Sequence, residues 1–221
     1  MTTFDGPARL RRSLADASNP ESLAAKCRTR RHAELLHRFP NLREMRVLDL
    51  GGLPNFWVGP LRPAAVTTVN LVDAPTPEPW MTHIVSDACF PASALNGENF
   101  DLVFSNSLLE HVGGFIMRRR LADVIHARSA AHWVQTPYRY FPLEPHWLAP
   151  GWQYLPVAAR AAVLRIWPLA YAHFRSRGDA FEEVLSIELL CRSEMSFLFP
   201  YSEIWRERIS GLTKSLVAVR T

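Results

Sequence analysis

The sequence is short of several things, and each shortage excludes a class of protein. No run of about 18 apolar residues occurs among its 221, so no ordinary membrane-spanning helix is expected. Met1 to Leu14 contain no apolar core followed by a small-residue cleavage site, and a soluble, unexported, cytoplasmic chain is therefore expected. Cysteine is scarce. Cys27, Cys89 and Cys191 are odd in number, widely spaced, and fit neither a zinc pattern nor a disulfide framework, so reduced structural cysteines and no bound metal are expected. There is no internal repeat and no low-complexity segment.

What is present suits a packed core. A hydrophobic content of 48% and a charged content of 21% are enough for one domain with some decoration. The formal charge of +4 is uneven: Lys and Arg outnumber Asp and Glu ten to five before Val47, and are fifteen to sixteen after it. Aromatic residues are few in the basic segment and no nucleic-acid motif appears there. It reads as a solvated basic face, and no nucleic-acid partner is expected.

Along the chain, residues 1–18 read as a loosely held polar arm. Asn19-Pro20-Glu21 supplies an N-cap, a first-turn proline and an acidic first turn for a helix running to about Arg38. Strands are expected at Val47 to Leu50, Ala65 to Asp73, Thr82 to Asp87, Phe100 to Ser105 and His132 to Thr136. Pro60 and Pro63 leave room only for a short helix after the first strand. Helical stretches are expected at Leu108 to Val112 and Phe115 to Arg128, a helix kinked by Pro168 from about Val157 to Phe174, and a short one at Ser193 to Leu198. Glu203 to Ile209 and Ser215 to Val219 close the chain as a hairpin about Gly211. Strands alternating with helices indicate an α/β fold, a Rossmann-like doubly wound seven-stranded sheet with a C-terminal antiparallel hairpin and a helical insert after the fifth strand. The whole is expected to be a single domain: residues 1–40 an arm and helix, 41–137 a ligand-binding core, 138–180 an insert, 181–221 a closing helix and hairpin.

The stretch Val47-Leu-Asp-Leu-Gly-Gly-Leu-Pro-Asn-Phe-Trp57 organises the rest. Apolar residues lead into Gly51 and Gly52, where a main chain without Cβ atoms can turn tightly and let a ligand lie against it. Asp49, just before the turn, would repel a dinucleotide pyrophosphate and welcome a cation. With Gly-x-Gly-x-x-Gly also absent, a nicotinamide-dependent dehydrogenase is the weaker enzyme reading.

VLDLGG (47–52), SDA (86–88) and FDLVFSNSLLEHV (100–112) together resemble the class I S-adenosylmethionine-dependent methyltransferases, in particular the small-molecule, type 11-like group. The resemblance covers roughly Val47 to Pro137. It implies S-adenosylmethionine as cofactor, S-adenosylhomocysteine as product, and a small-molecule acceptor. Carried over, Gly51 and Gly52 would pass beneath the methionine moiety and Asp49 would help to hold its amino group. Either Asn70, by motif alignment, or Asp73, by counting from the first glycine, would hold the ribose, with charge favouring Asp73. Asp87 would accept from the adenine amino group beside Ala88 and Cys89. Ser105 and Asn106 would present backbone groups near the sulfonium. The family's Gly-x-Gly-x-Gly is here Gly51-Gly52-Leu53-Pro54-Asn55, which leaves a non-catalytic binding module of the same fold as an alternative.

Directly after the fifth strand, Thr136-Pro-Tyr-Arg-Tyr-Phe-Pro-Leu-Glu-Pro-His146 looks like a segment found in a subset of these enzymes. Its three prolines fix the backbone that carries Glu144 and His146. His146 is a candidate proton acceptor for the acceptor's hydroxyl, thiol or amine, and His111 is a second; each could equally cap or orient a loop. The Trp-, Tyr- and Arg-rich segment 147–177 reads as ordinary core, as a lid over an apolar or aromatic acceptor, as a peripheral membrane contact, or as a homodimer interface.

Overall fold

The computed structural model describes residues 10–11, 13–14, 19–91 and 93–221; most of the expected N-terminal arm lies outside the described residues. The chain divides into two compact units. One comprises Leu35–Tyr138 with Glu188–Thr221, the other the described residues up to Glu34 with Arg139–Ile187.

The larger unit is built on a seven-stranded sheet in the order β3-β2-β1-β4-β5-β9-β8. Its strands are β1 (Arg46–Leu50), β2 (Ala65–Asn70), β3 (Met81–Val85), β4 (Leu102–Asn106) and β5 (His132–Pro137), then β8 (Glu203–Ile209) and β9 (Leu212–Arg220). The first five run parallel, and β9 enters antiparallel between β5 and β8. Alternation along each strand divides the apolar residues between two cores, one on each sheet face. Val47, Val66, Phe104, Trp133 and Val217 pack with Leu35, Phe39 and Trp57. Leu48, Leu50, Val103, Val134 and Leu216 pack instead with Leu121, Ala122 and Ile125 of helix α2 (Gly114–Arg128) and with Met195 and Leu198 of helix α5 (Arg192–Leu198). Burial on both faces explains why β1 and β4 read as largely apolar runs. The hairpin turns through Ser210 and Gly211, both at positive φ, the conformation a two-residue loop needs to match strand twist.

The smaller unit holds a two-stranded ribbon, β6 (Leu143–Glu144) against β7 (Ala149–Pro150), and two helices, α3 (Val157–Leu164) and α4 (Arg177–Leu185), which pack together. Ser176 caps α4, accepting from the Asp179 amide at 3.0 Å. Helix α1 spans Leu23–Arg38.

Four expectations are corrected. Helix α1 begins at Leu23, because Asn19 caps a turn through the Glu21 amide while buried Ser22 accepts from the Ala25 amide at 3.0 Å. Strand β2 stops at Asn70, whose side chain accepts from the Val72 amide and turns the chain before Asp73. Leu108–Val112 is a turn, since Ser107 at φ 57° leaves β4 in the left-handed region and blocks immediate helix entry. Pro168 lies beyond the end of α3 at Leu164, and a separate helix, α4, follows at Arg177, so a single kinked helix to Phe174 does not form.

Candidate functional site

Parallel strands with connections leaving in opposite directions open a crevice at their carboxyl ends, here between β1 and β4. A cleft of about 220 Å³ lies there, lined by Gly51 after β1, Asn70 at the end of β2, Ser86 to Cys89 after β3, and Leu108, His111 and Val112 after β4. Four segments far apart in sequence meet because four parallel strands end on the same edge.

Gly51 sits at φ 87°, and its amide donates to Val69 O at 2.8 Å. A Cβ at this position would come within 2.9–3.0 Å of the Leu108 side chain, so the glycine is required by that close approach as well as by its backbone angle. Asn70 is turned inward on the same loop: its Nδ2 donates to Gly51 O at 2.7 Å. Asp87 uses Oδ1 to accept from the Cys89 amide at 2.8 Å, which braces the Asp87–Cys89 turn. Ala88 and Cys89 are buried beneath it. The Cys89 thiol is pushed up to about 11 by burial first and by the Asp87 charge second, so it stays protonated and inert.

Asp49 lies elsewhere. It shares its sheet face with Val47, and its carboxylate is 1% exposed, accepting from Trp57 Nε1 at 2.8 Å. Oδ1 is buried without a partner among the described residues. Burial pushes this carboxyl from the ordinary 3.8 up to about 7, against a smaller downward pull from the Trp57 hydrogen bond. Gly52 leaves it room, since a Cβ there would fall 1.8 Å from Asp49 Oδ2.

The structure thus brings Gly51, Asn70, Asp87, Ala88 and His111 to one cleft. Gly52, Asp49, Ser105 and Asn106 do not line it. Ser105 is fully buried and its hydroxyl donates to Leu50 O at 2.9 Å, tying β4 to β1. Asp73 lies in a separate surface depression with Pro75, Thr76 and His83 because β2 has already ended. Glu144 and His146 belong to the other unit, where His146 Nδ1 and Glu144 Oε1 are 2.6 Å apart.

Three further residues were quoted within the sequence motifs without being given a role. Leu108 covers Gly51. Trp57 holds the Asp49 carboxyl. Glu110 is buried, accepts from the Thr136 hydroxyl at 2.9 Å through Oε2, and places Oε1 3.9 Å from His111 Nε2. The adjacent Glu110-His111 pair at the end of an apolar run was the available signal.

No protein-family model matches the chain, and no curated protein matches it in sequence. Solved structures match it in fold. N-methyltransferase NodS from Bradyrhizobium japonicum WM9 is 12% identical with a TM-score of 0.50, over 88% of this chain and 95% of that one. Magnesium protoporphyrin IX methyltransferase ChlM from Synechocystis PCC 6803, with bound S-adenosylhomocysteine, is 13% identical with a TM-score of 0.52, over 89% and 83%. The 1,6-didemethyltoxoflavin-N1-methyltransferase of Burkholderia thailandensis, with bound 1,6-didemethyltoxoflavin and S-adenosylhomocysteine, is 17% identical with a TM-score of 0.51, over 97% and 87%. At these identities the likeness is one of fold: the chain has the Rossmann-like fold of the class I methyltransferases.

Proposed function

We propose that the chain is an S-adenosylmethionine-dependent methyltransferase acting on a small-molecule acceptor. The observation that carries this reading is the gathering of Gly51, Asn70 and the Asp87–Cys89 turn in one cleft at the carboxyl ends of the parallel strands. The adenosine end of the cofactor suits these residues. Asp87 accepts from the Cys89 amide through Oδ1, and as a carboxylate lining the cleft it can also accept from an amino group, while buried Ala88 and Cys89 offer an apolar wall. When bound, the cofactor supplies a methyl group already activated on sulfur. The chain has then to align that methyl with the nucleophile, which is worth about 7–11 kcal/mol, and to accept a proton, which is worth about 10²- to 10⁴-fold.

His146 is the proposed proton acceptor, with residues 138–180 as the acceptor-side segment. His146→Ala is expected to keep cofactor binding and to lose most turnover. Equal turnover in variant and wild type removes His146 from the mechanism.

A second reading, a non-catalytic binding module of the same fold, is favoured by three features. Leu108 covers Gly51, the Asn70 amide is spent on the Gly51 carbonyl, and Asp49 is committed to Trp57. Isothermal titration with S-adenosylmethionine and S-adenosylhomocysteine separates the two. Micromolar binding supports the enzyme; no heat at high ligand concentration supports the module.

A further inference from the structure

The larger unit has a second cavity, of about 320 Å³, at the sheet edge opposite the cleft. Arg220, which borders it, pairs with His132, the first residue of β5, and so stands at the amino ends of the parallel strands. One wall is a single stripe of α2: Arg119, Ala122, Asp123 and His126 recur at the i, i+3, i+4, i+7 spacing of one helix face. The other wall is Phe197 and Tyr201, at and just beyond the end of α5, with Arg220 from β9. His126 Nε2 donates to Leu198 O at 3.1 Å and joins the two walls.

The charges around this cavity are uncommitted. Elsewhere on α2, Arg118 reaches Glu188 at 2.8 Å, Arg120 donates to Cys89 O at 2.9 Å, and Arg128 donates to Leu95 O. The Arg119 side chain makes no hydrogen bond or ion pair among the described residues, and neither does that of Asp123, one turn further on. Arg220 carries its guanidinium 5.9 Å from the Tyr201 ring centroid and forms no ion pair there. A guanidinium laid over a ring is a planar fork held in place, the geometry that takes a carboxylate through two parallel N–H···O bonds. Two guanidiniums against the one carboxylate of Asp123 leave the cavity positive. Its rings are also bare: Phe197 is 61% and Tyr201 80% exposed, and Phe197 is braced from behind by Phe115, ring centroids 5.8 Å apart. Flat apolar surface of this kind gains by being covered.

We propose that this cavity is a second binding site, for a small planar aromatic carboxylate. The ligand's ring lies along Phe197 and Tyr201, and its carboxylate meets Arg220 and Arg119. The volume is at the low end of the roughly 300–1,000 Å³ usual for small-molecule sites, which matches a ligand of one or two rings. Binding here is independent of the function proposed above, since none of these residues lines the cleft.

The test is titration of the full chain with 2-naphthoate at low salt, followed by amide ¹H–¹⁵N NMR. The comparison probes are 2-naphthalenemethanol, which keeps the rings without the charge, and inorganic phosphate, which keeps charge without rings. Naphthoate should bind with a Kd at or below about 1 mM, more tightly than either comparison probe, and shift the amides of residues 119–126 and 197–202 and of Arg220. Arg119→Gln and Arg220→Gln should each weaken it by about tenfold and Tyr201→Ala by about fivefold, whereas Asp123→Asn, which removes a like charge, should tighten it by about threefold. Arg62→Gln, which removes a guanidinium held over Trp80 and outside the cavity lining, should leave it unchanged. Absence of binding, equal affinity for either comparison probe, shifts confined to Gly51, Asn70 and Asp87, or an affinity that the Arg119 and Arg220 variants leave unaltered overturns the proposal. If one arginine variant does not fold, the other decides.

Discussion

Replacing Asp49 by Asn should stabilise the protein relative to the wild type by an amount that grows as pH rises, although it removes a residue of the glycine-turn motif. The wild-type carboxyl is pushed from 3.8 to about 7 by burial, so the folded state holds its proton across a window in which the unfolded state has lost it. Below pH 3.8 both states are protonated and ionisation costs nothing. Between 3.8 and 7 the folded state binds more protons, so wild-type stability falls as pH rises, and above 7 the loss is complete. A shift of about three units, at about 1.4 kcal/mol each, places that loss at about 4 kcal/mol. Asn keeps the shape, accepts from Trp57 Nε1 through its carbonyl, and cannot ionise. Urea unfolding of both proteins without cofactor, at intervals from pH 4 to pH 8.5, gives the difference directly. The stability of Asp49→Asn relative to wild type should climb by up to about 4 kcal/mol over that range. A difference flat with pH would refute the burial argument, whatever its absolute size.

Three further outcomes are expected. Asp87→Ala should weaken S-adenosylhomocysteine binding by about 10- to 100-fold in titration calorimetry, the worth of one hydrogen bond to a charged group; unchanged affinity would place the adenine elsewhere. His132 is fully buried beside His126, and burial first, then the His126 and Arg220 charges, lower it from 6.5 to about 4. Its contribution to stability is therefore lost as pH falls from 6.5 towards 4, by up to about 3 kcal/mol, and His132→Asn should flatten that part of the wild-type curve, measured by the same unfolding series. Gly52→Ala should unfold the turn, since its Cβ would fall 1.8 Å from Asp49 Oδ2, and Gly52→Ala with Asp49→Ala should melt at a higher temperature than Gly52→Ala alone.

Local chemistry made much of the fold legible. The apolar runs at β1 and β4, the prolines that end segments and the Gly211 turn are all short-range signals, and they made strand existence and order of appearance legible. Boundaries were less legible. The left-handed Ser107 and the early end of β2 depend on hydrogen bonds, from Ser107 to Gln135 and from Val72 to Asn70, of which the first spans distant sequence. For the site, Gly51 and Asp87 could be picked out because a glycine turn and an acidic loop carry their chemistry with them.

The sequence by itself determined an α/β chain with a glycine turn after its first strand, because periodicity and turn chemistry act over a few residues. Which side chains share a cleft was decided only by the tertiary structure. Strand order and the two-residue alternation of each strand bring Asn70 to Gly51, send Asp49 to Trp57 on the other face, and carry Asp73 past the end of β2. A pattern along the chain cannot state which neighbour a side chain will meet, since that neighbour comes from another strand.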